Sequence, residues 1–220
     1  MIKLSAALVI CALLSGCNGF PKPFINDPVY SQYQIINSGP PLPMMYQASA
    51  IQWNEDYAVT AKHTPFLWNV AHKGRGDLVF FPHKSNNPPQ WRQYIGGETL
   101  TSVGFSPLLM SVKSTGKAKK SRIQIMEFND NVSYAVGDMA LVKGMSGGPV
   151  FGEDNRVVGI NIGFISESGY RNSPNPEIAG TDRLSIFMPY DEILTDWNIF
   201  MKEKAGADTT PSATPAPASN

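Results

Sequence analysis

The chain has 220 residues, of which 42% are hydrophobic and 16% charged, with 19 glycines and 18 prolines. This composition permits a sizeable core and a turn-rich globular body, and it excludes a coiled coil or a wholly disordered chain. Lys and Arg number 18, as do Asp and Glu, so no net field draws nucleic acid to the chain and nucleic acid is not an expected partner.

In chain order, Met1-Ile2-Lys3 is a short basic start. Ala6 to Leu14 is a nearly unbroken apolar stretch, too short for a permanent bilayer span, which is the pattern of a signal peptide. It ends in Leu14-Ser15-Gly16-Cys17, which resembles the lipobox of bacterial lipoproteins, whose Cys is acylated and becomes the mature N-terminus. The resemblance implies a lipoprotein signal peptide over 1–17, lipidation at Cys17 and a membrane partner through that anchor. Asn18 stands where an inner-membrane lipoprotein carries Asp, which implies the outer membrane, facing the periplasm. The alternative is an ordinary secretory signal that happens to contain a Cys. With Cys11 cleaved away and Cys17 lipidated, no thiol remains for a disulfide or a zinc site, and no metal or cofactor is expected.

Residues 18–43 are polar and dotted with Pro21, Pro23, Pro28, Pro40, Pro41 and Pro43, the composition of a tether; only Val29 to Ile36 looks strand-like. The folded body is expected over 44–203. Its short β-rich runs are Ala48 to Trp53, Tyr57 to Ala61, Leu78 to Phe81, Thr99 to Phe105, Ile123 to Glu127, Met139 to Val142, Val157 to Ile162 and Leu184 to Met188. Asn54-Glu55-Asp56 joins the first two as a hairpin. One helical pattern, Asp191 to Lys202, offers Ile193, Trp197, Phe200 and Met201 for packing. Residues 204–220 are mostly Ala, Thr, Ser and Pro and read as a disordered tail. Spacing of this kind indicates an all-β sandwich or barrel.

Gly144-Met145-Ser146-Gly147-Gly148-Pro149 carries the chemistry. Glycines on both sides of Ser146 permit a tight turn that exposes the hydroxyl and aims the N–H groups of Gly144 and Ser146 at one point. The run resembles the GxSGGP signature of chymotrypsin-like serine peptidases; the bland alternative is a Gly- and Ser-rich turn between strands. The likeness continues in Val150-Phe151, the turn Gly152-Glu153-Asp154-Asn155 and the strand from Arg156 to Gly163, a hairpin similar to that of the high-temperature-requirement proteases. Leu184 to Asp191 is similar to the strand and Pro that lead into the C-terminal helix of the same family, and Tyr57-Ala58-Val59-Thr60-Ala61-Lys62-His63-Thr64 to its strand-ending T-A-x-H segment.

The resemblance implies two six-stranded Greek-key β-barrels with a C-terminal helix, and a serine endopeptidase that acts on protein or peptide through an acyl-enzyme. Ser146 is then the nucleophile, His63 the base and Asp77 the acid that orients it, with Gly144 and Ser146 as the oxyanion donors. Thr64 stands where relatives often have Cys. Asp77 lies only 14 positions after His63, shorter than is usual in the family, and a structural turn Asp is the alternative. Asp56 and Asp138 do not match the family's order. His72 and His83 read as solvated loop residues.

Ala140 occupies the place of the Asp with which trypsin binds basic side chains, and Ile160 that of the His of glutamyl-endopeptidase-type enzymes, so neither preference is supported. Ala140, Ile160, Asn161, Ile162 and Gly163 along the expected pocket wall suggest a small or medium apolar residue before the scissile bond. Met145 replaces the Asp that pairs with a freed N-terminus in trypsinogen-like zymogens. Two competing functions remain at this point, a catalytically silent module that holds peptide in the same cleft and a structural envelope lipoprotein.

Overall fold

The computed structural model describes residues 20–25, 27–37, 47–64, 67–106, 110–126 and 131–208. The expected signal peptide with Cys17, and residues 38–43 and 209–220 of the expected tether and tail, lie outside the described residues.

Two antiparallel sheets form the body. In chain order the strands are β1 (Lys22–Pro23), β2 (Tyr33–Asn37), β3 (Gln47–Gln52), β4 (Tyr57–Thr60), β5 (His72–Lys73), β6 (Val79–Pro82), β7 (Thr99–Phe105), β8 (Ser111–Ile123), β9 (Tyr134–Gly137), β10 (Pro149–Phe151), β11 (Val157–Ile165) and β12 (Leu184–Pro189). Short helices α1 (Glu167–Tyr170) and α2 (Pro176–Ala179) follow β11, and α3 (Tyr190–Asp208) closes the described chain. The first sheet has the order β2-β3-β4-β6-β5; the second has the order β1-β8-β7-β10-β11-β12-β9, and β8 also pairs with β9. Six strands of the second sheet therefore pair in a closed cycle. The first sheet has five strands among the described residues, where six were expected.

Period-two alternation explains why the second sheet has two cores. Tyr134 and Val136 of β9, with Ile186 and Met188 of β12, join Ile51, Val59, Leu78 and Phe80 of the first half in one cluster between the sheets. The residues between them, Ala135 and Phe187, join Leu100, Ala118, Val150 and Val158, so each strand of the cycle sends a buried side chain into its interior. Helix α3 docks against the first cluster through Ile193, Trp197 and Phe200, whose rings meet Trp53, Tyr57 and Phe80. Met201, expected to pack, is exposed. Asp191 and Glu192 in the first turn suit the positive end of the helix dipole.

Four departures from expectation have physical causes. The stretch read as tether contributes β1, paired with Lys113 and Val112, and its strand-like part supplies β2, paired with Gln47 to Ile51 of β3, because its backbone completes ladders that the body leaves open. Of the expected strand Ile123 to Glu127 only Ile123 is in a strand among the described residues, as the last residue of the thirteen-residue β8, whose Lys117, Lys119 and Lys120 hide its strand character: it buries only Val112 and Ala118 and is held by pairing on both edges. Met139 to Val142 is irregular, and the strand lies just before it at β9. The helix runs to Asp208, five residues into the expected tail, where Ala205 and Ala207 are strong helix formers. The hairpin at Asn54 is as expected, with Asn54 Oδ1 accepting from the N–H groups of Asp56 and Tyr57, both at 3.0 Å.

Candidate active site

His63 sits in the turn that ends β4. Its main-chain N–H donates to Asp77 Oδ1 at 2.7 Å, and its ring Nδ1 lies 2.5 Å from Asp77 Oδ2. Asp77 is only 2% exposed, while the His63 ring is about half exposed, at 48%. This bidentate grip places the imidazole proton on Nδ1 and leaves Nε2 with a free lone pair. The bond from Asp77 is the main cause that raises the His63 pKa above the usual histidine value; burial opposes it, and the Asp77 charge adds to it. The short interval that set Asp77 apart in the sequence is spanned by a tight return: Gly76 is at φ +57°, Gly74 N–H donates to Leu78 O, and Lys62 N–H donates to Asp77 O. Asp77 N–H in turn donates to the hydroxyl of the fully buried Tyr134 at 3.0 Å.

The other candidates are engaged elsewhere. His83 Nδ1 lies 2.7 Å from Gln52 Oε1. His72, expected to be solvated, stacks on Phe200 with Glu203 3.3 Å from its Nδ1, because β5 tucks it under α3. Asp138 accepts from Lys117 N–H and Lys119 Nζ, and the Asp56 carbonyl accepts from His83 N–H.

Ser146 lies on a loop built by its glycines. Gly144 has φ +91° and Gly147 φ +79°, conformations that side chains rarely adopt. A Cβ on Gly144 would stand 2.6 Å from Phe105 O, and one on Gly147 would overlap Thr60 Oγ1 and the Ser49 carbonyl. The Ser146 loop is thus pressed against the end of β4, three residues before His63. Ser49 of β3 fixes it there: its N–H donates to Ser146 O at 3.0 Å, and its Oγ donates to Gly144 O at 2.7 Å while accepting from Phe105 N–H. Neither Ser49 nor Tyr134 was foreseen from sequence. A lone Ser among the buried Ala48 and Ala50 of β3 is the one available signal for the first, and nothing local marks the second.

Within the loop the N–H groups of Met145, Gly147 and Gly148 donate to Val142 O, Asn161 O and Met145 O. Among the described residues, those of Gly144 and Ser146 reach no protein acceptor and stay available for a negative oxygen. Ser146 Oγ donates to the Ile162 carbonyl at 3.3 Å, longer than the usual 2.5–3.0 Å of an O–H···O bond and therefore weak.

Of the expected wall residues, Ile160 and Ile162 turn their side chains into the core, and Asn161 Nδ2 braces Val103 O at 3.0 Å. Ala140 is buried, and a Cβ on Gly163 would meet nothing. Any wall that Ile160, Asn161 and Ile162 present is thus mostly main chain. A largely apolar groove of about 460 Å³ borders the Ser146 loop, lined by Met110, Leu141, Val142, Lys143 and Phe164, with Phe20 of the N-terminal segment.

No protein-family model matches the sequence, and no curated protein matches it. Solved structures do match. A serine endoprotease from Yersinia pestis superposes with a TM-score of 0.59 at 12% identity, over 83% of this chain and 69% of that one. The active form of the Rv3671c protease from M. tuberculosis gives 0.59 at 14% identity, over 81% and 86%. The HtrA-type protease AlgW with a tripeptide gives 0.58 at 14% identity, over 72% of this chain and 56% of that one.

Proposed function

We propose that this chain, which has the trypsin-like serine protease fold, is a serine endopeptidase whose two sheets correspond to the two barrels of that fold. The observation that carries the reading is the His63–Asp77 grip, set at the end of β4 against a glycine-built loop whose Gly144 and Ser146 N–H groups are unspent. In the proposed reaction Ser146 Oγ attacks the scissile carbonyl while His63 Nε2 takes its proton. The carbonyl electron pair moves onto oxygen, where the two free N–H groups stabilise it. The imidazolium then gives its proton to the leaving amine as the C–N bond breaks. Water repeats the steps on the acyl-enzyme and releases the acid, and Asp77 stabilises the imidazolium throughout.

The groove favours an apolar substrate over a basic one, since Leu141, Val142, Lys143 and Phe164 would leave a cationic side chain without partners. A peptide library cut by the purified body is expected to show small or medium apolar residues before the scissile bond. Cleavage confined to Arg, Lys or Glu would contradict this.

A second reading, a silent module that holds peptide, has one observation in its favour: Ser146 Oγ bonds the Ile162 carbonyl, which it must leave to attack. The weakness of that bond favours catalysis.

The resemblance of Leu14 to Cys17 to a lipobox supports a location at the cell envelope, with the enzyme anchored through Cys17 and facing the periplasm from the outer membrane. The intact mass of the protein purified from its own membranes is expected to equal the chain from Cys17 plus its acyl groups. A mature N-terminus elsewhere, or an unmodified Cys17, would refute the anchor.

A further inference from the structure

The acid of the proposed triad stands on a loop with glycine on either side of Arg75, closed on itself by one main-chain bond, from Gly74 N–H to Leu78 O. Arg75 reaches away from the site to α3, where its Nε donates to Asp196 Oδ1 and its Nη2 to Glu192 Oε2, both at 2.9 Å. Asp196 is 1% exposed, and its Oδ2 has no hydrogen-bond partner among the described residues, so the guanidinium is what makes a buried carboxylate tolerable there. The approach is close, since a Cβ on Gly74 would lie 2.8 Å from Asp196 Oδ2.

Glu192 completes a circuit. Its Oε1 accepts from the N–H of Ser133, the residue before Tyr134, whose hydroxyl accepts from Asp77 N–H. From the other side Lys62, next to His63, donates its Nζ to Gly74 O at 2.7 Å.

We propose that Arg75 is a positioning residue, clamping the Gly74–Asp77 loop to α3 so that the Asp77 carboxylate meets the His63 main-chain N–H and its ring Nδ1. The role rests on the catalytic reading above for its effect on rate, but not for its effect on the imidazole. With so short an interval after His63, the acid is held from outside, by a helix more than a hundred residues further along the chain. The C-terminal helix is thereby part of the support of the active site.

The test compares wild type, Arg75→Gln and Arg75→Lys by two readouts, the NMR titration of the His63 ring and kcat on a cleaved peptide. Arg75→Gln is expected to move the His63 titration down toward the ordinary histidine value and to lower kcat on the order of tenfold to a hundredfold, the scale of an ångström misplacement. Arg75→Lys, which keeps the charge but can grip only one carboxylate at a time, is expected to recover part of both. If Arg75→Gln does not fold, Glu192→Gln loosens the same clamp and is read the same way. A folded variant with lowered thermal stability but unchanged His63 titration and kcat overturns the proposal and leaves the cluster a purely structural one. If wild type proves catalytically silent, the titration still decides: a downward move supports the clamp while the enzyme reading fails.

Discussion

Ser146→Ala is expected to lower kcat/KM for peptide hydrolysis by about 10⁵-fold or more, the loss seen when a triad nucleophile is removed. The fold should hardly notice. What fixes the loop is main chain and Ser49: Ser146 O accepts from Ser49 N–H, Gly144 O accepts from Ser49 Oγ, and Gly147 packs on β4. Among the described residues the Ser146 side chain makes only the long bond to Ile162 O. Its loss should therefore cost under about 1 kcal/mol of stability. Thermal unfolding alongside peptide kinetics checks both parts, and a variant that is folded yet retains wild-type activity would mean that another residue attacks the substrate.

Asp77→Asn is expected to have the next largest effect, on the order of 10⁴-fold in kcat near neutral pH. In the wild type, Asp77 Oδ2 accepts the Nδ1 proton, which leaves Nε2 unprotonated to serve, in the proposed mechanism, as the base for Ser146. An amide NH₂ in the same place would donate to Nδ1, moving the ring proton to Nε2, where it blocks proton uptake from Ser146. The variant also alters the pH profile. Pairing with Asp77 raises the His63 pKa, so the imidazolium persists to higher pH than in a free histidine, and the neutral base that catalysis needs appears only above that raised value. Activity should thus rise with pH through a limb that lies above the ordinary histidine pKa. Without the carboxylate the imidazolium loses its partner, and the limb should move to lower pH. A kcat/KM profile measured on both proteins checks this, and coincident acid limbs would show that Asp77 does not govern the ring.

Much of this site could be read before any coordinates existed, for reasons that are local. Only glycine fits Gly144 and Gly147, so the backbone geometry of the loop is written in its residue types. His63 was marked by the buried strand Tyr57–Thr60 that delivers it. Other features depend on contacts between distant segments and leave no local trace. Ser49 and Tyr134 act through single hydrogen bonds across strands, and Arg75 reads as one more surface cation until α3 is laid against it. Strand β8 was obscured by its lysines, because a strand held by ladders on both edges needs little apolar surface of its own. The direction of the side chains along the expected pocket wall was hidden in the same way. Ile160 and Ile162 look like wall residues, but the strand that carries them is covered by the first sheet, and their side chains fill the core.

The central claim is that Ser146 is a nucleophile activated by His63. The most direct measurement is labelling of the folded protein with a fluorophosphonate probe, followed by mass spectrometry of the peptide that carries the adduct. A single adduct on Ser146, absent from Ser146→Ala and strongly reduced in His63→Ala, is the predicted result. A correctly folded wild type that takes up no probe, or takes it up on another residue, would contradict it.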